Sequence, residues 1–189
     1  TLRPMKHRVP DPLRLDIAAF TADAGALEGV WSGIDLTRLS DSQTLPQDAA
    51  AGSVQWHLQG ERVATSVGDP EQWLRLSAST TVWLTCQRCL QPLAEALAVD
   101  RRLRFVRDEA QAEALDAESE DDVLAMPRWL DARELIEDEL LLALPLVPRH
   151  DQCPQALPMS VEADVGPDEG IEERPNPFAV LKSLKAGKG

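Results

Sequence analysis

Tyrosine is absent from this sequence of 189 residues, and aromatic residues make up only 4% of it. No run of about 18 apolar residues occurs, so no segment has the composition of a membrane-spanning helix. A glycine-rich phosphate loop, a G-x-S-x-G nucleophile elbow and an H-E-x-x-H metalloprotease motif are also missing. These absences argue against a membrane protein, a P-loop NTPase, an α/β-hydrolase and a zinc metalloprotease of the common types.

Basic residues are in the minority, with 19 Lys and Arg against 32 Asp and Glu, which gives a formal net charge of -13. Nonspecific binding to nucleic acid depends on Lys and Arg that neutralise phosphates. The charge balance therefore opposes an extended RNA-binding face and favours basic partners, high solubility or both.

Cysteine is also scarce, because the chain has only three, an odd number that does not suit a disulfide framework. A reducing compartment fits this usage. The basic N-terminal residues are not followed by an apolar signal core. We therefore expect a cytoplasmic protein with no membrane partner.

Apolar and polar residues alternate on both sides of a short turn at 86–92. The apolar face comprises Leu74, Leu76, Ala78, Val82 and Leu84 before the turn, and Leu93, Leu97, Val99, Leu103 and Phe105 after it. A period of two predicts half-buried strands. Pro92 cannot donate a ladder hydrogen bond, so the turn lies at or just before it. The sequence predicts a long antiparallel hairpin with Cys86 and Cys89 at its tip.

A helical pattern is clearest at 131–144, where Asp131 and Glu134 have the spacing of a capping box. Its apolar stripe comprises Ala132, Leu135, Ile136, Leu140, Ala143 and Leu144. The acids at 137–139 are expected on a solvated face. A shorter helix is predicted over 11–20 and a strand over 54–58, whereas Gly25, Gly29 and Gly33 break up the segment between them. The predicted fold is α+β: an antiparallel sheet built on the long hairpin, with a barrel-like closure as an option, covered by one long and one short helix.

Two regions predict little regular structure. Residues 108–122 contain eight acids and no base, which is typical of a mobile loop or frayed helix. Beyond Cys153 the chain is rich in proline and acids as far as Pro177, after which Phe178, Leu181 and Leu184 recur at helical spacing between lysines. We predict one domain over 1–157 and a flexible tail over 158–189 that ends in a short basic amphipathic segment.

Cys86-x-x-Cys89 allows three interpretations. Two thiolates are half of a tetrahedral zinc site, and His150 and Cys153 would complete a set of three cysteines and one histidine. A thioredoxin-like redox pair normally lies at a helix N-terminus, whereas this pair lies between strands. Two partly buried thiols in a plain turn are the third interpretation.

The hairpin also concentrates arginine within an acidic chain. Arginines are the side chains that best suit phosphate contact, and Trp56, Trp73 and Trp83 fit hairpin packing better than base stacking. The candidate residues for RNA or partner binding are Arg75, Arg88, Arg101, Arg102 and Arg104 on the hairpin, and Phe178, Leu181, Lys182 and Lys185 in the tail.

Several of these blocks together resemble a known family. They are Cys86-Gln87-Arg88-Cys89-Leu90, the segment from Leu135 to Pro148, His150 with Cys153, and the segment from Asn176 to Leu181. Their order and separation are similar to those of the YceD family, the large ribosomal RNA subunit accumulation proteins. Some relatives in that family carry more cysteines near the C-terminus.

The resemblance implies a non-enzymatic factor in ribosome biogenesis that supports processing or accumulation of large-subunit ribosomal RNA. It would bind a ribosomal protein, a large-subunit rRNA precursor or both, and zinc is the one cofactor to consider. The alternative is a thiol-dependent oxidoreductase, or a zinc-stabilised protein-interaction module, that uses the Cys86–Cys89 pair.

Overall fold

Residues 9–66 and 68–154 are described by the computed structural model, and within them the architecture is α+β. The strands are β1 (Ala26–Ser32), β2 (Ser53–Val63), β3 (Glu71–Thr85), β4 (Pro92–Val106) and β5 (Asp122–Ala125). They form one sheet in the order β1-β2-β3-β4-β5. Neighbours are antiparallel except β5, which is parallel to β4. The α+β prediction is confirmed, but the sheet stays open, so the barrel-like option was wrong.

The predicted hairpin forms the centre of this sheet. β3 and β4 pair from Gln72 opposite Phe105 to Thr85 opposite Pro92. The apolar face predicted from the alternation is the face that packs into the core, with Leu74 opposite Leu103. Each such side chain, once buried, contributes roughly 1.5–3 kcal/mol to folding.

Within the described residues the helices are α1 (Ile17–Ala22), α2 (Thr37–Asp41), α3 (Glu109–Asp116) and α4 (Ala132–Leu142). Asp131 caps α4 by accepting hydrogen bonds from the backbone N–H groups of Arg133 and Glu134. Ile136 and Leu140 are completely buried against β3 and β4, as the stripe predicts. α4 therefore covers the core face of the hairpin.

The acids of α4 correct one expectation. Glu137 and Glu139 are buried and do not lie on a solvated face. Glu137 accepts hydrogen bonds from the backbone N–H of Leu39 and from Arg38, which joins α4 to α2. Glu139 pairs with Arg101 of β4 at 3.0 Å. Both carboxylates gain partners that lie far away in sequence, and this compensates for their burial.

The short N-terminal helix begins later than its sequence pattern indicates. Asp16, not Asp11, caps it by accepting from the N–H of Ala19. Asp11 instead begins a turn that the N–H of Arg14 closes by donating to the Asp11 carbonyl, and Leu15 then exchanges backbone hydrogen bonds with Leu130. From this position α1 packs on β2 and β3.

Both edge strands were missed by the sequence patterns. In β1, Gly29 faces the indole of Trp56, and a Cβ atom there would come within 2.7 Å of Cζ2. Trp31 of the same strand stacks on Trp56 with ring centroids 4.5 Å apart. Gly29 thus permits close packing of the edge strand and does not interrupt it.

The acidic stretch 108–122 contains α3 and leads into β5. Asp108 caps α3 by accepting from the N–H of Gln111. Ala112 packs with Val106 and Val123 in a small second apolar cluster. The mobility predicted for this stretch and the division of the chain near residue 157 stay predictions. Residues 158–189 lie outside the described part of the chain. Within the described part, no helix is long and apolar enough to span a membrane.

Candidate metal centre

Two distant turns bring four metal-ligand residues together beside the hairpin tip. Cys86 and Cys89 belong to the β3–β4 turn, and His150 and Cys153 follow α4. Their Sγ and imidazole nitrogen atoms all lie within 4.8 Å of one another. The structure thus assembles the predicted set of three cysteines and one histidine, and this cluster can bind a metal ion.

Backbone hydrogen bonds shape the first turn. Leu90 N–H donates to the carbonyl of Cys86, and Cys86 N–H donates to the carbonyl of Gln91. Leu90 adopts a positive φ of 59°, a left-handed conformation that is uncommon for a residue with a Cβ atom. Gln87 N–H donates to the carbonyl of Pro148 at 2.8 Å, which joins the first turn to the second. The hydrogen bonds therefore hold Cys86 and Cys89 in place from both segments.

The local field favours a thiolate at Cys86. Burial opposes the charged form, but the backbone N–H groups of Cys89, His150 and Arg88 outweigh it and lower the pKa of Cys86 to about 5. Burial, together with the neighbouring Cys89 and Cys86, raises the pKa of Cys153 to about 11. Because thiolate is the form that binds metal, Cys86 is a ready ligand, whereas a cation would be needed to ionise Cys153.

The separations fit a tetrahedral metal. Zn–S bonds of about 2.3 Å at tetrahedral angles place two sulfurs about 3.8 Å apart and a sulfur and a nitrogen about 3.5 Å apart. Cys86 Sγ and Cys153 Sγ are 3.9 Å apart, and Cys89 Sγ and His150 Nδ1 are 3.4 Å apart. No disulfide joins the three cysteines. These two separations match a tetrahedral site and the others stay within 4.8 Å, so small side-chain shifts would let all four residues hold one cation.

His150 is oriented for ligation through Nδ1. Its Nε2 lies 3.2 Å from the carbonyl oxygen of Pro92. A carbonyl can only accept, so this contact places the proton on Nε2 and leaves the Nδ1 lone pair facing the sulfurs. A partner of this kind typically fixes the ring of a metal-bound histidine. The sequence could not indicate the roles of Pro92 and Pro148, because every residue has a carbonyl group.

Four of the five hairpin arginines proposed for RNA or partner binding form ion pairs and are not part of the cluster. Arg75, Arg101, Arg102 and Arg104 form ion pairs with Asp100, Glu139, Glu61 and Glu71 respectively. The guanidinium of Arg102 also lies 4.1 Å from the centroid of the Trp73 ring. Each of these four charges is thus matched within the fold.

Arg88 is the exception among the predicted hairpin arginines. It is exposed beside Cys89 and has no ion pair among residues 9–66 and 68–154. Among the described residues, its charge therefore has no carboxylate partner. Phe178, Leu181, Lys182 and Lys185 lie outside the described part of the chain, so their predicted role stays a prediction.

Comparison with known proteins decides the family. Residues 74–185 match the family described as large ribosomal RNA subunit accumulation protein YceD. The chain belongs to the YceD family. It is 30% identical over 159 residues to the large ribosomal RNA subunit accumulation protein YceD of Haemophilus influenzae. The alignment covers 83% of this chain and 86% of that relative. No solved structure matches the chain.

The family match contains the whole cluster, because Cys86, Cys89, His150 and Cys153 all lie within it. The resemblance found in the sequence is therefore confirmed as YceD membership. β1, β2 and α1 lie before the matched residues, although the alignment with the relative is long enough to include most of the chain.

Proposed function

We propose that this chain is a non-enzymatic cytosolic factor in ribosome biogenesis that supports processing or accumulation of large-subunit ribosomal RNA. Membership of the YceD family carries the proposal, since both the family description and the relative's name refer to accumulation of that RNA. Its partner would be a ribosomal protein, a large-subunit rRNA precursor or both. No catalytic step is needed for such a role.

Zinc is the metal that the cluster suits best, because a set of three thiolates and one imidazole is typical of structural zinc sites. Cys86, Cys89, His150 and Cys153 would fill all four tetrahedral positions and leave none open for a substrate. The ion would join the hairpin tip to the segment after α4. Such a clasp is structural, which agrees with a role in binding.

The surface around this clasp is suited to a partner. Leu90, Leu146 and Val147 are exposed there, and Arg88 and Arg149 have no ion pair among the described residues. Apolar side chains beside free arginines can contact either a protein or the bases and phosphates of single-stranded RNA. The proposed tail contacts through Phe178, Leu181, Lys182 and Lys185 would add to this surface.

Affinity capture of the tagged chain from growing cells tests the proposal, with both RNA and protein identified at moderate and high salt. We expect large-subunit rRNA precursors or ribosomal proteins to be enriched, and the enrichment to fall with salt. The Arg88→Ala variant should capture less, whereas Arg133→Ala, which removes the same charge from α4, should not. Recovery of neither RNA nor ribosomal protein from a folded chain would contradict the proposed role.

Thiol oxidoreduction is the second candidate, supported by the lowered pKa of Cys86. A reactive thiol also needs access to its substrate, yet Cys86 is completely buried and Cys89 is 6% exposed. Replacing Cys86 and Cys89 by serine separates the candidates. Loss of bound zinc with weaker partner capture supports the clasp, whereas loss of a disulfide-exchange activity with the zinc content unchanged supports the oxidoreductase.

A further inference from the structure

A cavity of about 660 Å³ lies at the base of the hairpin, at the opposite end from the metal centre. Its walls come from the start of β3, the end of β4, the first turn of α3 and residues 126–128 after β5. Volumes between about 300 and 1,000 Å³ are usual for pockets that hold small molecules. The cavity is thus large enough for a nucleotide-sized ligand.

Three arginines line this cavity, in a chain whose net charge is -13: Arg104, Arg107 and Arg128. The lining also includes two carboxylates, Asp69 and Glu71. Both oxygens of Glu71 are engaged, one by Arg104 at 2.7 Å and the other by the indole N–H of Trp73 at 3.0 Å. Arg107 and Arg128 have no ion pair within residues 9–66 and 68–154. Two cations therefore face the cavity, against one carboxylate, Asp69, that has no ion pair among the described residues.

Like the charges, the hydrogen-bonding groups that line the cavity favour an anion, because unpaired donors outnumber acceptors. Gln111 accepts the backbone N–H of Arg107 with its Oε1 atom, so its amide N–H groups remain without a partner among the described residues. The Nε–H of Arg104 is buried and also has no acceptor among them. Apart from Asp69, the side chains that line the cavity offer donors more than acceptors. A ligand that satisfies them must bring oxygen acceptors and negative charge.

We propose that this cavity binds a phosphate group, carried by a nucleotide or by RNA. Arginine forks match the oxygens of phosphate in two parallel hydrogen bonds, and a neighbouring amide donor adds a third direction of contact. The site is separate from the metal centre, and its argument does not depend on the proposed role in ribosome biogenesis.

Calorimetric titration at low salt tests the site, with inorganic phosphate, adenosine 5′-monophosphate and a short single-stranded oligoribonucleotide with or without a 5′-phosphate. Binding of phosphate and the mononucleotide identifies a free small ligand as the source. Binding of only the oligoribonucleotide identifies RNA, and dependence on its 5′-phosphate identifies the chain end. Either source supports the site when the variants below weaken it.

Two variants and one control make the test specific. We expect the Arg107→Ala, Arg128→Ala double variant to weaken binding by roughly tenfold or more, because hydrogen bonds to charged groups are lost. Gln111→Glu keeps the oxygen that accepts the N–H of Arg107 but sets a carboxylate beside the ligand, and it should weaken binding as much. A carboxylate in the first turn of α3 favours the helix, so this variant should stay folded.

Arg133→Ala is the matched control, because Arg133 lies on α4 and also has no ion pair among the described residues. It changes the net charge by one unit, as Gln111→Glu does, and should leave binding unchanged. Absence of binding to every probe by the unaltered chain would overturn the proposal. So would equal loss in Arg133→Ala, or full binding by both cavity variants. Failure of rRNA to co-purify with the chain would not affect these measurements.

Discussion

The two ends of the β3–β4 hairpin are stabilised by different means. At the base, Leu74 and Leu103 face each other inside the main apolar core and are almost completely buried. At the tip, Leu90 is 67% exposed, and the turn is joined to the segment after α4 by backbone hydrogen bonds and by the four-residue cluster. A single hairpin thus combines an end held by apolar packing with an end where hydrogen bonds and four potential metal ligands meet.

The difference shows why the cluster lies where it does. The turn at 86–91 contributes no side chain to the main apolar core, and Leu90 is exposed there. Thiolates, imidazole and one cation can replace the missing packing, because metal binding supplies folding free energy directly. The base should therefore respond to changes in side-chain volume, and the tip to loss of ligands or metal.

Leu74→Ala should produce the largest effect. Removing a completely buried leucine from the core costs about 3–5 kcal/mol, through lost transfer energy and a residual cavity. Urea denaturation followed by circular dichroism measures it. Leu90→Ala is the control at the tip and should cost no more than about 0.5 kcal/mol. Equal losses in both variants would show that the two ends are held alike.

Removal of zinc should cause the second-largest loss of stability. At free zinc a hundredfold above the dissociation constant, binding stabilises the native state by about 2.7 kcal/mol, and a chelator or Cys86→Ser removes that contribution. Hydrogen exchange should show faster exchange at the amides of Gln87 and Leu90, whose hydrogen bonds organise the tip, but little change at Leu58 and Leu76. Elemental analysis of the unaltered chain provides the reference. A metal-free chain with protected tip amides would disprove the clasp.

Glu139→Gln should destabilise the fold less than removal of zinc does. Its partner Arg101 lies opposite Leu76, nearer the base of the hairpin than the tip. The substitution removes the negative charge of the 3.0 Å pair with Arg101, but Arg101 is half-exposed and can regain water. We expect a loss of about 1–2 kcal/mol in the free energy of unfolding. A double-mutant cycle with Arg101→Met isolates the pair. A coupling energy near zero would mean that the buried carboxylate is stabilised by other groups.

Arg75→Ala should change stability least, because Arg75 and Asp100 form an exposed pair on the uncovered face of the sheet. A hydrogen bond from Arg75 lowers the pKa of Asp100 below its ordinary 3.8. The pair therefore stabilises the fold above pH 3.8, and this contribution is lost as pH falls through the lowered pKa. Carboxyl NMR should show the Asp100 pKa rising towards its ordinary value in the variant. An unchanged pKa would show that the pair does not form in solution.

Local sequence patterns were sufficient to predict the β3–β4 hairpin and α4. Alternation over more than ten residues in each strand, and the cap at Asp131, depend only on neighbours in sequence, so they were predicted correctly. The four-residue cluster was one of three interpretations that the cysteine and histidine spacings left open. The beginning of α1 was missed because Leu15 pairs with Leu130, which is distant in sequence.

Contacts between distant segments account for the other differences. Gly29 belongs to a strand because the Trp56 indole lies against it, and Glu137 is buried because Arg38 and the N–H of Leu39 meet it. Four of the arginines proposed for RNA or partner binding have carboxylate partners that the sequence did not indicate, and their proposed role stays a prediction. The sequence shows whether a side chain is apolar, polar or charged, whereas the residue that it contacts depends on the tertiary structure.

The sequence by itself determined the hairpin, the main helix, the acidic balance, the four candidate ligands and the family resemblance. Each of these depends on residue type, periodicity or spacing along the chain. Only the tertiary structure decided that the four ligands meet within 4.8 Å, which arginines are neutralised, and that Arg104, Arg107 and Arg128 share one cavity. The physical reason is that coordination, charge pairing and cavity formation act through space between residues far apart in sequence.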